Sequence, residues 1–147
     1  QQMKMLAGER VKLRITDIDQ VRVKGDPDRL KQVMLNLIAN AIQHTPTSGE
    51  VMLRLGKDGS NGYFTVQDTG LGIPEEDLPF IFDRFYRGEK SRKREKGSGF
   101  GLGLSIAKWI ITNHQGNIEV SSKVGEGTKF SVFIPLWDDP SEWVELD

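Results

Sequence analysis

Asp26-Pro-Asp-Arg-Leu-Lys-Gln-Val-Met-Leu-Asn-Leu-Ile-Ala-Asn-Ala-Ile-Gln-His-Thr-Pro46 decides how this chain folds. Within it Leu30, Val33, Met34, Leu37, Ile38, Ala41 and Ile42 recur at the i, i+3, i+4, i+7 spacing that collects side chains on one face of an α-helix. Asp26 and Pro27 supply the start, since an aspartate side chain caps free N–H groups and proline lacks only an N–H that would be unpaired there anyway. Thr45-Pro46 supplies the end, because proline pushes the residue before it out of the helical region. A helix with so continuous an apolar stripe needs an apolar layer to cover.

The flanks offer strands. Residues 11–15 and 21–23 alternate apolar and polar positions, as half-buried strands do. Residues 50–55 and 63–67 read as a hairpin about a Gly/Asn/Ser-rich turn at 57–62. A glycine-punctuated loop at 68–73 is followed by a short helix over 75–85 and a basic, Gly-rich segment over 88–101. A second amphipathic helix over 102–114 carries Leu104, Ile106, Ala107, Ile110 and Ile111 on its buried side. Residues 117–121 and 129–136 close the chain as a hairpin turning at 124–127. Strands beside two long amphipathic helices predict an α+β fold, a two-layer α/β sandwich with a mixed sheet and the helices on one face.

Composition bounds the function. The 147 residues make one domain, read as 1–136 with an acidic tail at 137–147. The absence of cysteine excludes a disulfide scaffold, a thiol nucleophile and a Cys-based zinc site. No run of about 20 apolar residues suggests a membrane span, and no signal peptide is seen, so the expectation is a cytoplasmic fragment without membrane contact of its own. A net charge of −1 argues against nucleic acid as a partner. That neutrality is an average: seven basic and two acidic residues lie between Arg84 and Lys96, and five acidic residues with no basic one follow Leu136.

Three constellations can carry chemistry. Gln32, Asn36, Asn40 and Gln43 lie along one side of the first helix, where asparagine costs about 0.5 kcal/mol against alanine. Their carboxamide oxygens can ligate a hard cation and their NH₂ groups can donate to phosphate. Asp68-Thr-Gly-Leu-Gly-Ile73 follows a strand, and its alternating glycines permit close backbone approach to a ligand beside an acceptor-only carboxylate. Gly97-Ser-Gly-Phe-Gly-Leu-Gly103 opens a helix, whose free N–H groups and positive dipole end favour an anion. No Gly-Lys-Ser/Thr follows, so it is not a Walker loop, and the charged residues before it exclude a Rossmann fingerprint.

Taken in order, residues 32–43 resemble the N box, 68–73 the first glycine box, Phe82-Asp-Arg-Phe-Tyr-Arg87 the F box and 97–104 the second glycine box of the sensor histidine kinases. The resemblance runs over 25–136 and implies the Bergerat (GHKL) fold of their ATP-binding catalytic domain. By that resemblance Asn40 ligates Mg²⁺, Asn36 lies near the phosphates, and Asp68 meets the adenine amine with Thr128 sharing a water. Gly70, Gly72 and Ile73 pass close to the base. Gly99, Phe100, Gly101, Leu102, Gly103 and Leu104 form the lid hinge and phosphate-facing helix start, and Arg87 reaches the terminal phosphate. The basic segment then sits over a triphosphate. Gln43 replaces the usual lysine, His44 the usual aromatic and Phe100 a small Thr or Ser, all at positions where the family contacts nucleotide.

Histidine kinases transfer the γ-phosphoryl group to a histidine on a separate dimerisation domain, and neither His44 nor His114 has that context. The resemblance therefore implies a donor domain whose cofactors are ATP and Mg²⁺. Its partners would be the His-bearing dimerisation domain and a cognate response regulator. The fragment is expected to be monomeric and the parent homodimeric, with membrane anchoring of the parent left open. Asn36 stands where GHKL ATPases place a catalytic glutamate, and an amide is no base. An anti-sigma-type serine kinase and a nucleotide-binding regulatory module remain the competing readings.

Overall fold

The computed structural model describes residues 11–83, 100–137 and 144–145. Five strands, β1 (Lys12–Ile18), β3 (Glu50–Asp58), β4 (Asn61–Asp68), β5 (Asn117–Lys123) and β6 (Gly127–Pro135), form one sheet in the order β1-β3-β4-β6-β5. β1 runs parallel to β3, and the other pairs are antiparallel. A parallel pair needs a long crossover. Helix α1 (Pro27–Gln43) provides it, and helix α2 (Phe100–Asn113) lies in the connection from β4 to β5. The two-layer mixed sandwich is thus as expected.

α1 forms where the periodicity places it. Its cap is Asp26, whose side chain accepts from the N–H groups of Asp28 at 3.0 Å and Arg29 at 3.3 Å, with Pro27 in the first turn. Leu30, Val33, Leu37, Ile38, Ala41 and Ile42 are buried. They face Val51, Leu53 and Leu55 of β3, Phe64 and Val66 of β4, and Phe130, Val132 and Ile134 of β6 in one core. α2 adds Leu104, Ala107, Ile110 and Ile111.

The two helices are antiparallel and are joined at both ends. At one end the Asn36 Nδ2 donates to the Gly103 carbonyl at 3.4 Å. At the other, the His114 Nε2 accepts from the Asp26 N–H at 3.1 Å, and its Nδ1–H donates to the Ile110 carbonyl at 2.8 Å. Both ring nitrogens are thereby committed, which fits a structural histidine.

Beyond shifts of a few residues at strand and helix ends, three features differ from the sequence reading. Residues 75–83 form turns and a 3₁₀ segment, Leu78–Phe80, in place of the first part of the helix expected over 75–85; Pro79 lacks the N–H that a longer helix would use. The first hairpin pairs further than expected, as far as Asp58 opposite Asn61. Its loop is only Gly59-Ser60, with Gly59 at φ +63°, the conformation a two-residue hairpin asks of its first central residue. Finally, β2 (Arg22–Val23) leaves the main sheet and pairs antiparallel with β7 (Val144–Glu145), from the acidic segment. Trp137 fastens the chain beside it, donating its backbone N–H to the Arg22 carbonyl at 3.0 Å and receiving Lys24 Nζ 4.9 Å from its ring centroid. Among the described residues no helix is long and apolar enough to cross a membrane.

The α1 stripe makes a direct prediction. Leu37→Ala, at a fully buried position, should lower unfolding free energy by about 2–5 kcal/mol in denaturant titration. Lys31→Ala on the exposed side should change it by less than about 0.5 kcal/mol.

Candidate functional site

One end of the sandwich gathers polar groups on the helix-facing side of the sheet. Strand alternation puts Asp68 of β4 in line with buried Phe64 and Val66, and Thr128 of β6 in line with buried Phe130 and Val132. Asp68 and Thr128 are register partners, as are Thr128 and Ser122 of β5, so three polar side chains lie side by side where the core opens.

Asp68 is only 4% exposed, and a buried carboxylate must be hydrogen-bonded. Its Oδ1 accepts from the N–H groups of Gly70 at 2.8 Å and Thr128 at 3.2 Å. Oδ2 has no hydrogen bond among the described residues. Burial raises the Asp68 pKa above the ordinary aspartate value, opposed by the two N–H groups and by nearby His44. The result is an acceptor held in one orientation with a second oxygen available.

The loop after Asp68 is shaped by close approach. A side chain at Gly70 would meet the carbonyl oxygen of His44, at the C-terminal cap of α1. Gly72, at φ +82°, passes against the backbone of Lys123. The Ile73 N–H then donates to the Ser122 Oγ at 2.7 Å. This ties the 68–73 loop to the end of α1 on one side and to the β5–β6 hairpin on the other.

On α1, Asn36 and Asn40 are half-buried, whereas Gln32 and Gln43 are exposed. The Asn40 Oδ1 is fully buried and has no hydrogen-bond partner among the described residues. Such an orphaned acceptor costs about 1–3 kcal/mol, and a hard cation is a natural occupant. No group of three or more His, Cys, Asp or Glu gathers among the described residues. A magnesium ion here therefore fits an amide oxygen completed by ligand oxygens better than an all-protein cage. His44 is half-buried and its Nδ1–H donates to the Asn40 backbone carbonyl at 2.8 Å, closing α1 next to this amide.

Among the remaining residues expected at the site, Gly103 is half-buried, and a Cβ added there would meet nothing within 4 Å. Leu104 is buried in the core, so it offers a ligand only its backbone. Phe100, Gly101 and Leu102 lie in the first turn of α2. Gly99 and Arg87 lie outside the described residues. Phe82, from the segment resembling the F box, packs edge-on to Phe130 at 6.1 Å between centroids, with Lys108 Nζ 5.1 Å from its ring. Sequence reasoning missed Ser122, whose hydroxyl lies 2.8 Å from the Thr128 Oγ1 and donates to the Gly127 carbonyl at 3.0 Å. Its signal was parity: it shares a strand face with Ile118 and Val120.

The family model described as histidine kinase-, DNA gyrase B- and HSP90-like ATPase matches residues 25–138. The chain belongs to this ATPase family. Sensor histidine kinase YclK of Bacillus subtilis is 41% identical over 129 residues, 85% of this chain and 26% of that kinase. The chain thus spans about a quarter of that curated relative's length. The mycobacterial sensor histidine kinase MprB superposes with a TM-score of 0.79 at 26% identity, covering 94% of this chain and 91% of that one. Full-length ShkA in complex with AMPPNP superposes at 0.73 with 26% identity, covering 94% of this chain and 28% of that one.

Asp68 yields a pH test whose sign is fixed. Because its folded pKa is raised, the folded chain holds the proton more tightly than the unfolded one. The ionised group therefore costs stability at neutral pH, and the cost fades as pH falls towards the ordinary aspartate range. Asp68→Asn keeps an Oδ1 acceptor and removes the charge. The nucleotide-free variant should melt at or above the wild-type temperature at pH 7, with the gap closing under acid. A gap that widens under acid would contradict this assignment.

Proposed function

We propose that this domain binds ATP with Mg²⁺ and donates the γ-phosphoryl group to a histidine on a separate dimerisation domain of a two-component sensor kinase. The observation that carries the reading is the pairing of two unusual buried acceptors. Asp68 carries an oriented carboxylate with one oxygen uncommitted, and Asn40 an amide oxygen with no partner among the described residues. Around the first, the fold has no cationic side chain in hydrogen bond with the carboxylate among the described residues, so a neutral donor such as an exocyclic amine suits it. The second suits a hard cation bridging phosphates.

Each residue then has a stated task. Asp68 accepts from the adenine amino group, and Thr128 lies beside it to complete the base edge. Gly70 and Gly72 let the loop after Asp68 pass against the backbones of His44 and Lys123 beside the base. Asn40 would hold Mg²⁺, which when bound neutralises triphosphate charge, and Asn36 donates near the phosphates. The start of α2 presents unpaired N–H groups to the phosphates. Arg87, outside the described residues, is proposed from its motif to stabilise charge on the transferring group. Position 36 is an amide and cannot deprotonate water, so hydrolysis is expected to be slow and transfer to an imported imidazole favoured.

The kinship with YclK and MprB, both named sensor histidine kinases, supports this reading over a serine kinase. The parent protein's response regulator, its dimeric state and a cytoplasmic location for this domain belong to the same proposal.

Two measurements test it. In calorimetry with ATP and Mg²⁺, Asn40→Ala and Asp68→Ala should each abolish detectable binding; micromolar affinity surviving in both sinks the site. Mixed with a His-bearing helical domain and γ-labelled ATP, the chain should produce an acid-labile phosphoprotein. An acid-stable label on Ser or Thr would favour the serine-kinase reading.

A further inference from the structure

Ser122 is the most fully committed hydroxyl at the site. A serine hydroxyl has one donor and two acceptor positions. The Gly127 carbonyl, 3.0 Å away, can only accept, so the Ser122 proton goes there. The Ile73 N–H, 2.7 Å away, can only donate, so it takes one lone pair. The Thr128 Oγ1 lies at 2.8 Å and either oxygen could in principle donate. Of the two possible directions, the Ser122 proton on Gly127 with the Thr128 hydroxyl donating to Ser122 is the one that satisfies all three neighbours of Ser122. Thr128 then keeps two lone pairs and no proton for whatever sits beside Asp68.

We propose that Ser122 is a positioning residue that fixes the Thr128 hydroxyl as an acceptor and so makes the site select a 6-aminopurine over a 6-oxopurine nucleotide. The proposal rests on the nucleotide reading above and adds to it the direction of one proton. Asp68 Oδ2 and Thr128 Oγ1 then present acceptors together, on register-paired strands and at 4% and 6% exposure. An exocyclic amine brings two N–H donors to that edge. A carbonyl at the same ring position would bring only lone pairs against lone pairs, and neither protein group could turn to meet it. Asp68 cannot rotate, because its Oδ1 is pinned by two N–H groups. Thr128 cannot rotate, because Ser122 holds its proton.

Ser122 reaches further than Thr128. By accepting from Ile73 it also fixes the end of the 68–73 loop that follows the base-recognising carboxylate. Gly127 contributes to the same geometry: at φ +126° its α-carbon packs against the Asp68 backbone so closely that a side chain could not fit. Two strands and the 68–73 loop thus deliver one hydrogen-bond relay, from Ile73 and Thr128 into Ser122 and on to Gly127.

The test compares Mg·ATP and Mg·GTP binding to the whole chain by competition calorimetry. Ser122→Ala releases the Thr128 hydroxyl, which can then rotate and donate to a carbonyl. The ATP-over-GTP preference should fall by about tenfold, with the change concentrated in tighter GTP binding. Ser122→Thr keeps the relay and should restore the preference. Thr128→Val should lower the preference similarly, and the double variant should be no worse than Thr128→Val alone, since the two hydroxyls act as one unit. If alanine at 122 unfolds the chain, the near-isosteric Ser122→Cys, a weaker acceptor, should give an intermediate preference. Equal weakening of ATP and GTP would show a merely structural serine and overturn the proposal, as would strict additivity in the double variant. A wild-type chain that binds ATP and GTP equally would instead fail the adenine reading itself.

Discussion

The site depends on one buried acceptor. A carboxylate at 4% exposure must be compensated, and Asp68 is compensated on a single oxygen, by the Gly70 and Thr128 N–H groups. That arrangement needs three things of the fold. β4 must end at Asp68, β6 must begin opposite it with glycine at 127, and the loop after it must turn sharply enough for Gly70 to donate back. The carboxylate's raised pKa records the same fact as an energy: the fold spends stability to keep an oriented acceptor in an apolar setting.

The helices frame that carboxylate. α1 buries a continuous apolar stripe and leaves its amide-bearing edge at the mouth of the core, so that packing energy fixes the height of Asn36 and Asn40. α2 is held to it at both ends, by Asn36 on Gly103 and by His114 on Asp26. The two walls of the site are thereby placed relative to each other by the core and by two hydrogen bonds at opposite poles. Membership in the histidine kinase-, gyrase- and HSP90-like ATPase family agrees with this division between a rigid frame and a polar opening.

Much of this was legible in the residues. α1 was, because periodicity, cap and proline stop all agree. The 68–73 loop was, because an aspartate followed by alternating glycines has few uses other than close approach. The segment 75–83 was expected to open a short helix and instead forms turns and a 3₁₀ segment, because Pro79 lacks the N–H that a longer helix would use. The strand at 21–23 was legible but its partner was not, since the two residues of β7 carry no periodicity and lie more than a hundred positions away. Ser122 was overlooked for a different reason. The expected strand ended at residue 121, one short of Ser122, so its parity with Ile118 and Val120 was not followed.

The most direct measurement is a crystal structure of this chain with Mg²⁺ and a non-hydrolysable ATP analogue. The account predicts the exocyclic amine of adenine within hydrogen-bond distance of Asp68 Oδ2, and the cation on Asn40 Oδ1. A nucleotide bound elsewhere, or bound with Asp68 Oδ2 facing solvent and Asn40 Oδ1 still without a partner, would contradict it.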